Sequence, residues 1–222
     1  MPDLNFRPIW RYQDQLVEGV LTTLLLTAVA TIAGLVIGIA GAVLIRSGPK
    51  PVRWLLRIYI EIIRNTPVLV QIFIIYFVLP SFGLKMTPIQ AACVALSIYF
   101  GAYAIEIIRS GLDSIPKSQI EAGMCLGITR MQVLRHVILP PALRNIYPSV
   151  TSQFVLLLLG TSIASQVSAD ELFHVAGFID SRTYRSFEVY TLICLIYFGL
   201  VISFKLAFAA LGRLAFRWPV RR

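Results

Sequence analysis

Charge avoidance is the feature that most constrains this chain. Twenty-seven residues separate Glu18 from Arg46 without a charged side chain, twenty separate Arg64 from Lys85, and twenty more separate Lys85 from Glu106. A further 25 lie between Arg144 and Asp170, and the 24 from Val189 to Gly212 hold one charge, Lys205. About 20 apolar residues suffice for a helix to cross the hydrocarbon of a bilayer. The pattern therefore predicts an all-α polytopic membrane protein with five transmembrane helices, near 16–45, 58–80, 87–108, 145–167 and 188–213. Composition agrees: 57% of the 222 residues are hydrophobic, 14% are charged and the mean hydropathy is +0.77. Soluble domains carry about a quarter charged residues, so a soluble enzyme, a disordered chain and a disulfide-stapled secreted domain are all excluded. Cys93, Cys125 and Cys194 stand far apart and only two His occur, which gives no zinc or disulfide framework.

The net charge of +9 reads as basic membrane-flanking loops rather than a nucleic-acid surface, because basic loops stay cytoplasmic. The segments after spans one and three and the C-terminal tail together carry thirteen Lys and Arg, against five on the opposite side. The N-terminus is therefore expected outside and the C-terminus in the cytoplasm. Seven of the 11 acids (Asp3, Asp14, Glu18, Asp170, Glu171, Asp180 and Glu188) fall on the outer side. Residues 1–15 lack the basic-then-apolar layout of a signal peptide and read as a short polar arm. Residues 16–213 form the transmembrane domain, and 214–222 a cytoplasmic tail.

Spans two and three are joined by a tight Pro80-Ser81-Phe82-Gly83 turn, whereas about 36 residues, Arg109 to Arg144, separate spans three and four. A structureless loop of that length is unusual. Two short helices are expected instead, Lys117 to Leu126 and Thr129 to Ile138, with Gly127 between them and Pro140-Pro141 ending the second. Ser114 is positioned to cap the first, with Pro116 in its first turn. A helix pair on the cytoplasmic face suits docking of a soluble partner.

Polar residues inside spans are expensive unless paired or functional. Arg64 and Gln71, seven apart, lie within about 20° on one helix face, and Pro67 between them releases the carbonyl of Ile63. Tyr99, Tyr103 and Glu106 recur at i, i+4 and i+7. Thr161, Ser162 and Ser165 share a face. Arg64, Asn65, Thr66, Gln71, Thr161, Ser162 and Ser165 are the candidates to line a polar substrate cavity, with Arg64 gripping a carboxylate. Each has a structural alternative: Arg64 pairs with Glu61, Glu106 with Arg109, the tyrosines are core aromatics, and the hydroxyls join helices. Ala30, Gly34, Gly38 and Ala42 at i+4 spacing indicate close helix packing.

The run Glu121-Ala122-Gly123-Met124-Cys125-Leu126-Gly127, nine residues to His136, then Val137-Ile138-Leu139-Pro140, resembles the EAA loop of ABC importer transmembrane subunits. Gly123 stands where that family has a second Ala, and Val137 where it has Ile. Arg64-Asn65-Thr66-Pro67-Val68-Leu69-Val70-Gln71 is similar to the R-G-T-P-x-x-x-Q segment of the polar amino acid uptake branch. Tyr103 to Gly111 followed by Ile115 to Gln119 looks like its Y-x-x-E-x-x-R-x-G and I-P-x-G-Q run. Gly160 to Ser165 resembles its K-D-T-S-L segment, with Gly160 where an acidic residue is common.

The resemblance implies a type I importer transmembrane domain in the bacterial cytoplasmic membrane, with Glu121, Ala122, Gly123, Gly127, Leu139 and Pro140 coupling it to an ATPase dimer. ATP and Mg belong to that partner, and the chain itself carries no cofactor or metal. A second permease chain, identical or homologous, and an extracytoplasmic solute-binding protein are the other expected partners, with membrane lipid around them and no nucleic acid. The stretch Ile179 to Glu188 looks like the outer loop of glutamate/aspartate permeases, which favours such a substrate. Gly111 to Ser118 fits a phosphate-binding loop except for Pro116, which lacks both the amide and the dihedral freedom of glycine. The alternative, a self-sufficient secondary carrier or channel, calls for matching repeated halves that five spans and one long loop do not show.

Overall fold

A computed structural model describes residues 5–216. Asp3 of the outer acids and Arg217, Arg221 and Arg222 of the tail lie outside the described residues. A 3-10 turn, Ile9–Tyr12, leads into α1 (Gln13–Ser47), followed by α2 (Lys50–Arg64), α3 (Val68–Phe73) and α4 (Pro88–Asp113). Next come α5 (Lys117–Cys125), α6 (Arg130–Gln132), α7 (Leu139–Gly160), α8 (Leu172–Thr183) and α9 (Ser186–Ala215). Among the described residues, four helical stretches are long and apolar enough to span a membrane: Ile9–Ser47, Pro88–Asp113, Arg130–Val167 and Ser186–Ala215.

The second expected span, 58–80, is not a straight helix. Lys50–Arg64 and Val68–Phe82 meet at a bend of 110°, and together they make the fifth candidate span. Lys50, Arg53, Arg57, Glu61 and Arg64 recur at roughly helical intervals on α2. This half is therefore amphipathic, the pattern of a helix lying along an interface. It is fastened to the bundle by buried Ile60 and by the Tyr59 hydroxyl, which donates to the Ile98 carbonyl at 2.6 Å. The chain turns at Pro67 because a proline cannot continue the helix and biases its predecessor towards extended backbone.

At the centre of the bundle α4 crosses α1. Leu26, Ala30, Leu96, Phe100 and Ala104 share one core with Leu157 of α7. The small residues of α1 set the distance, as their spacing predicts. A Cβ on Gly34 would lie 2.7 Å from Phe100 Cδ1, and one on Gly38 would lie 2.5 Å from Ala104 Cβ. Helices in lipid associate by such packing, since the tails are as apolar as leucine. By contrast α9 lies at the periphery, with only 6% of its most apolar stretch buried.

Three further expectations are corrected. Pro140 and Pro141 do not stop the helix that begins after Thr129, because Val133–Ile138 is a π-helix leading directly into α7. The wider π turns shift the bonding register so that the prolines fall near the start of α7, where a missing N–H costs least. Ser114 ends α4 rather than starting α5, and its hydroxyl donates to the Gly111 carbonyl at 2.7 Å. Pro116 is itself the N-cap of α5. The segment before α9, expected as an outer loop, is the helix α8, which packs Leu172, Val175, Ala176 and Ile179 against Ile9, Leu16, Val189 and Ile193. Ile9 thus anchors the N-terminal arm.

If the α1–α4 approach limits stability, Gly38→Ala destabilises by about 1–3 kcal/mol, the usual range for overpacking. Gly199, where a Cβ meets nothing within 4 Å, is the control. Gly199→Ala leaves stability unchanged or raised by up to about 1 kcal/mol through helix propensity. Thermal unfolding of the purified chain in detergent compares the two.

Candidate functional site

The bend of the second span is closed by one side chain. Pro67 frees the Ile63 carbonyl, and Gln71 Nε2 donates to that carbonyl at 2.9 Å, to the Thr66 carbonyl at 3.1 Å and to Thr66 Oγ1 at 2.9 Å. Asn65 Nδ2 donates to the Glu61 carbonyl at 2.8 Å and to the Glu61 carboxylate at 3.0 Å. Thr66 Oγ1 donates to the Ile62 carbonyl. Asn65, Thr66 and Gln71 thus complete the backbone of a helix break, in a setting where unsatisfied groups cost several kcal/mol.

Arg64 stands apart from them. Its guanidinium lies 3.6 Å from the Glu106 carboxylate and 5.3 Å from the centre of the Tyr103 ring. The pairing with Glu61 is not formed, since Glu61 is engaged by Asn65. Glu106 is held mainly by Arg109, through bonds of 3.0 Å and 2.9 Å to its two oxygens, while Arg109 also reaches Asp113 at 3.1 Å. Arg64, Glu106, Arg109 and Arg144 line one open cavity of about 780 Å³ with Asn145 and Ser149. Arg64 is the member of the seven-residue candidate set that lines it.

The hydroxyl segment belongs to a second break. α7 tightens into a 3-10 helix at Thr161–Val167, which ends in a left-handed Ser168. Thr161 is fully buried, and its hydroxyl donates to the Leu158 carbonyl at 2.8 Å. Ser162 and Ser165, partly exposed, donate to the Leu159 and Ser162 carbonyls. This segment packs through Ile163 and Val167 on Ile72 of α3 and on Ile75 in the π turn that follows it. The two interrupted helices therefore meet, although their polar residues do not line the Arg64 cavity.

Beyond the second break lies a network absent from the sequence reading. Glu171 is fully buried and caps α8, accepting from the Phe173 and His174 amides and, at 2.8 Å, from the Tyr197 hydroxyl. Thr23 Oγ1 accepts from the Leu172 amide at 3.2 Å. The signal available was Glu171 directly before an apolar i, i+3, i+4, i+7 set. In the stretch Ile179 to Glu188, Ser186 donates to Asp180, and Arg185 pairs with Glu188 at 2.8 Å. Both of its acids are thus engaged within the stretch, while Arg182 lies over the Phe178 ring.

The coupling candidates divide. Glu121 and Ala122 are exposed on α5, and Gly123 is buried, with a Cβ there falling 3.3 Å from Val133 Cγ2. Gly127 has φ of +74° and nothing near its Cβ direction. Backbone conformation rather than crowding therefore demands glycine. Met124 and Leu126 project at 47% and 81% exposure. Leu139 and Pro140 lie outside this loop, at the start of α7.

Comparison with known proteins places this arrangement. Residues 30–217 match the family of binding-protein-dependent transport system inner membrane components. The chain is 38% identical over 189 residues to the probable glutamine ABC transporter permease protein GlnM of Bacillus subtilis, covering 85% of this chain and 88% of that protein. It is 40% identical over 164 residues to the L-cystine transport system permease protein TcyB of the same organism, covering 74% and 70%. Among solved structures, a crystal structure of an amino acid ABC transporter with histidines superposes with a TM-score of 0.88 at 35% identity, over 95% of this chain and 98% of that one. An inward-facing conformation of the MetNI methionine ABC transporter gives 0.76 at 27% identity, over 92% and 98%. This chain belongs to the inner-membrane permease family of binding-protein-dependent ABC importers.

Proposed function

We propose that the chain forms half of the translocation pathway of an ATP-driven importer for a polar amino acid, paired with a second permease chain. The observation that carries this reading is the meeting of two interrupted helices, α3 and the 3-10 end of α7, in a chain whose first break also brings Arg64 to a charged cavity. Irregular backbone at membrane depth is tolerated where protein buries it or where it lines an aqueous path, and interrupted helices recur at transporter binding sites. Relatives named for glutamine and L-cystine favour a substrate without net side-chain charge. The glutamate/aspartate reading has no support from them, and the acids of the outer stretch are engaged in its own turn.

Arg64 grips the substrate carboxylate bidentately, exchanging its long contact with Glu106 for a planar fork. Ser162 and Ser165, outside the Arg64 cavity, present polar groups at a second point on the proposed path. The exposed α5 loop, Glu121 to Gly127, seats in a groove of the separate ATPase, which holds ATP and Mg. The basic coupling end faces the cytoplasm and the N-terminus faces outward, where a solute-binding protein delivers its ligand.

Reconstitution tests the reading. With the solute-binding protein outside, proteoliposomes holding the permease pair take up substrate only when the ATPase and ATP are supplied inside, and uptake without them would show a self-sufficient carrier. Gly127→Asp leaves insertion intact and removes ATPase binding together with uptake. Arg64→Lys keeps the charge but loses the fork, so the substrate concentration for half-maximal uptake rises while the complex still assembles. Gln71→Leu strands the Ile63 carbonyl and lowers stability by about 1–3 kcal/mol, equally with and without substrate. A thermal shift confined to the substrate-bound state would instead make Gln71 a ligand.

A further inference from the structure

At the coupling end α7 and α9 enclose a groove of about 560 Å³, which shares Arg144 with the Arg64 cavity but is otherwise lined by residues that the transport reading does not use. Three cations line it, Arg144 from α7 and Lys205 and Arg213 from α9, and no carboxylate does. Lys205 is the single charge in an otherwise uncharged apolar run. It lies eight residues before Arg213, roughly 12 Å deeper along the helix. It shares a helical face with Phe208, Ala209 and Gly212, all turned towards α7. The groove is built by tight packing. The Tyr147 hydroxyl donates to the Phe208 carbonyl at 2.6 Å, and a Cβ on Gly212 would fall 2.9 Å from the Tyr147 ring.

None of these three cations has an acidic partner among the described residues, whose ion pairs use Arg64, Arg109, Arg185 and His174. A cation within the hydrocarbon is costly unless it snorkels or meets an anion. A second copy of the chain is poorly suited to supply one. The acids of the coupling end are Glu61, Glu106, Asp113 and Glu121, of which Glu106 and Asp113 are already held by Arg109. The groove also borders the least buried helix of the bundle, and Phe208 and Phe216 give it apolar walls. Basic pockets between transmembrane helices at the cytoplasmic surface suit lipid headgroups, with the acyl chains lying along the apolar wall.

We propose that this groove binds the phosphate of an anionic phospholipid of the cytoplasmic leaflet, with Arg144, Lys205 and Arg213 as its cradle. The leaflet assignment rests on the cytoplasmic reading of the coupling end; lipid binding itself does not depend on the transport reading.

Native mass spectrometry of the purified full chain, titrated with phosphatidylglycerol or phosphatidylcholine in detergent, tests it. The wild type retains phosphatidylglycerol in preference to phosphatidylcholine, and millimolar inorganic phosphate does not displace it. Lys205→Gln weakens retention about fivefold, the effect of losing about 1 kcal/mol from one cationic contact, and Lys205→Arg restores it. Arg213→Gln, outside the deepest part of the span, gives a similar loss and carries the test if Lys205→Gln fails to fold. Equal retention of the two lipids would overturn the proposal. So would displacement by inorganic phosphate, which would mark a soluble-anion site. Disulfide cross-linking of Ala209→Cys between two permease chains in the assembled transporter would also overturn it, because the groove would then be an interface.

Discussion

In hydrocarbon a helix can be interrupted only if the backbone groups it frees find partners inside the protein. The bend between α2 and α3 meets that condition through Gln71, whose amide reaches the Ile63 and Thr66 carbonyls and the Thr66 hydroxyl. The rest of the arrangement follows from the bend. It lets α2 lie as an amphipathic helix, brings Arg64 to the end of that helix beside Glu106 and Tyr103, and sets α3 against the second break at Thr161–Val167. A straight second span would carry Arg64 into the bundle with no charged cavity beside it.

Much of this was legible in the sequence, and the failures have physical causes. Charge-free runs located the four continuous spans because every charge in lipid is costly, and the i+4 row of small residues located the α1–α4 contact. The same counting missed α8, since Asp170, Glu171 and Asp180 made the outer segment look like loop. Its apolar positions, Leu172, Val175, Ala176 and Ile179, nevertheless carry the period of a helix. The charges of α2 at helical intervals likewise announced an interfacial helix, yet the apolar residues between them were absorbed into the second span. Pro140-Pro141 misled for another reason: proline stops an α-helix, but a preceding π turn alters which amides are needed.

The site was legible where its chemistry is local and obscure where it is tertiary. Pro67 and its freed carbonyl could be read from the chain, and so could Gln71 on the same face. What Gln71 does could not, because a residue that lines a cavity and one that closes a backbone gap share the same spacing. Arg64 shows the same limit. Glu61, one turn earlier, is the partner that sequence proximity suggests, while Glu106 lies on another helix and becomes a neighbour only once α2 folds back onto α4.

If the α5 loop docks an ATPase as proposed, the corrected course of the fourth span changes how its movement can reach the rest of the chain. Had the prolines ended the second coupling helix, a flexible joint would separate the docking loop from the membrane. Instead one helical rod of 38 residues, Arg130–Val167, starts just after Gly127 and ends with Ile163 and Val167 packed against the second span. Gly123 seats α5 directly on the π segment of that rod, next to Val133. A displacement of the loop is therefore delivered to the rod through side-chain contact. The rod yields where its hydrogen bonding is irregular, at Val133–Ile138, Pro148 and Thr161–Val167. Leu139 and Pro140 sit immediately beyond the first of these joints and outside the α5 loop, so under the proposed docking role they would act by setting how stiffly a push is carried into α7.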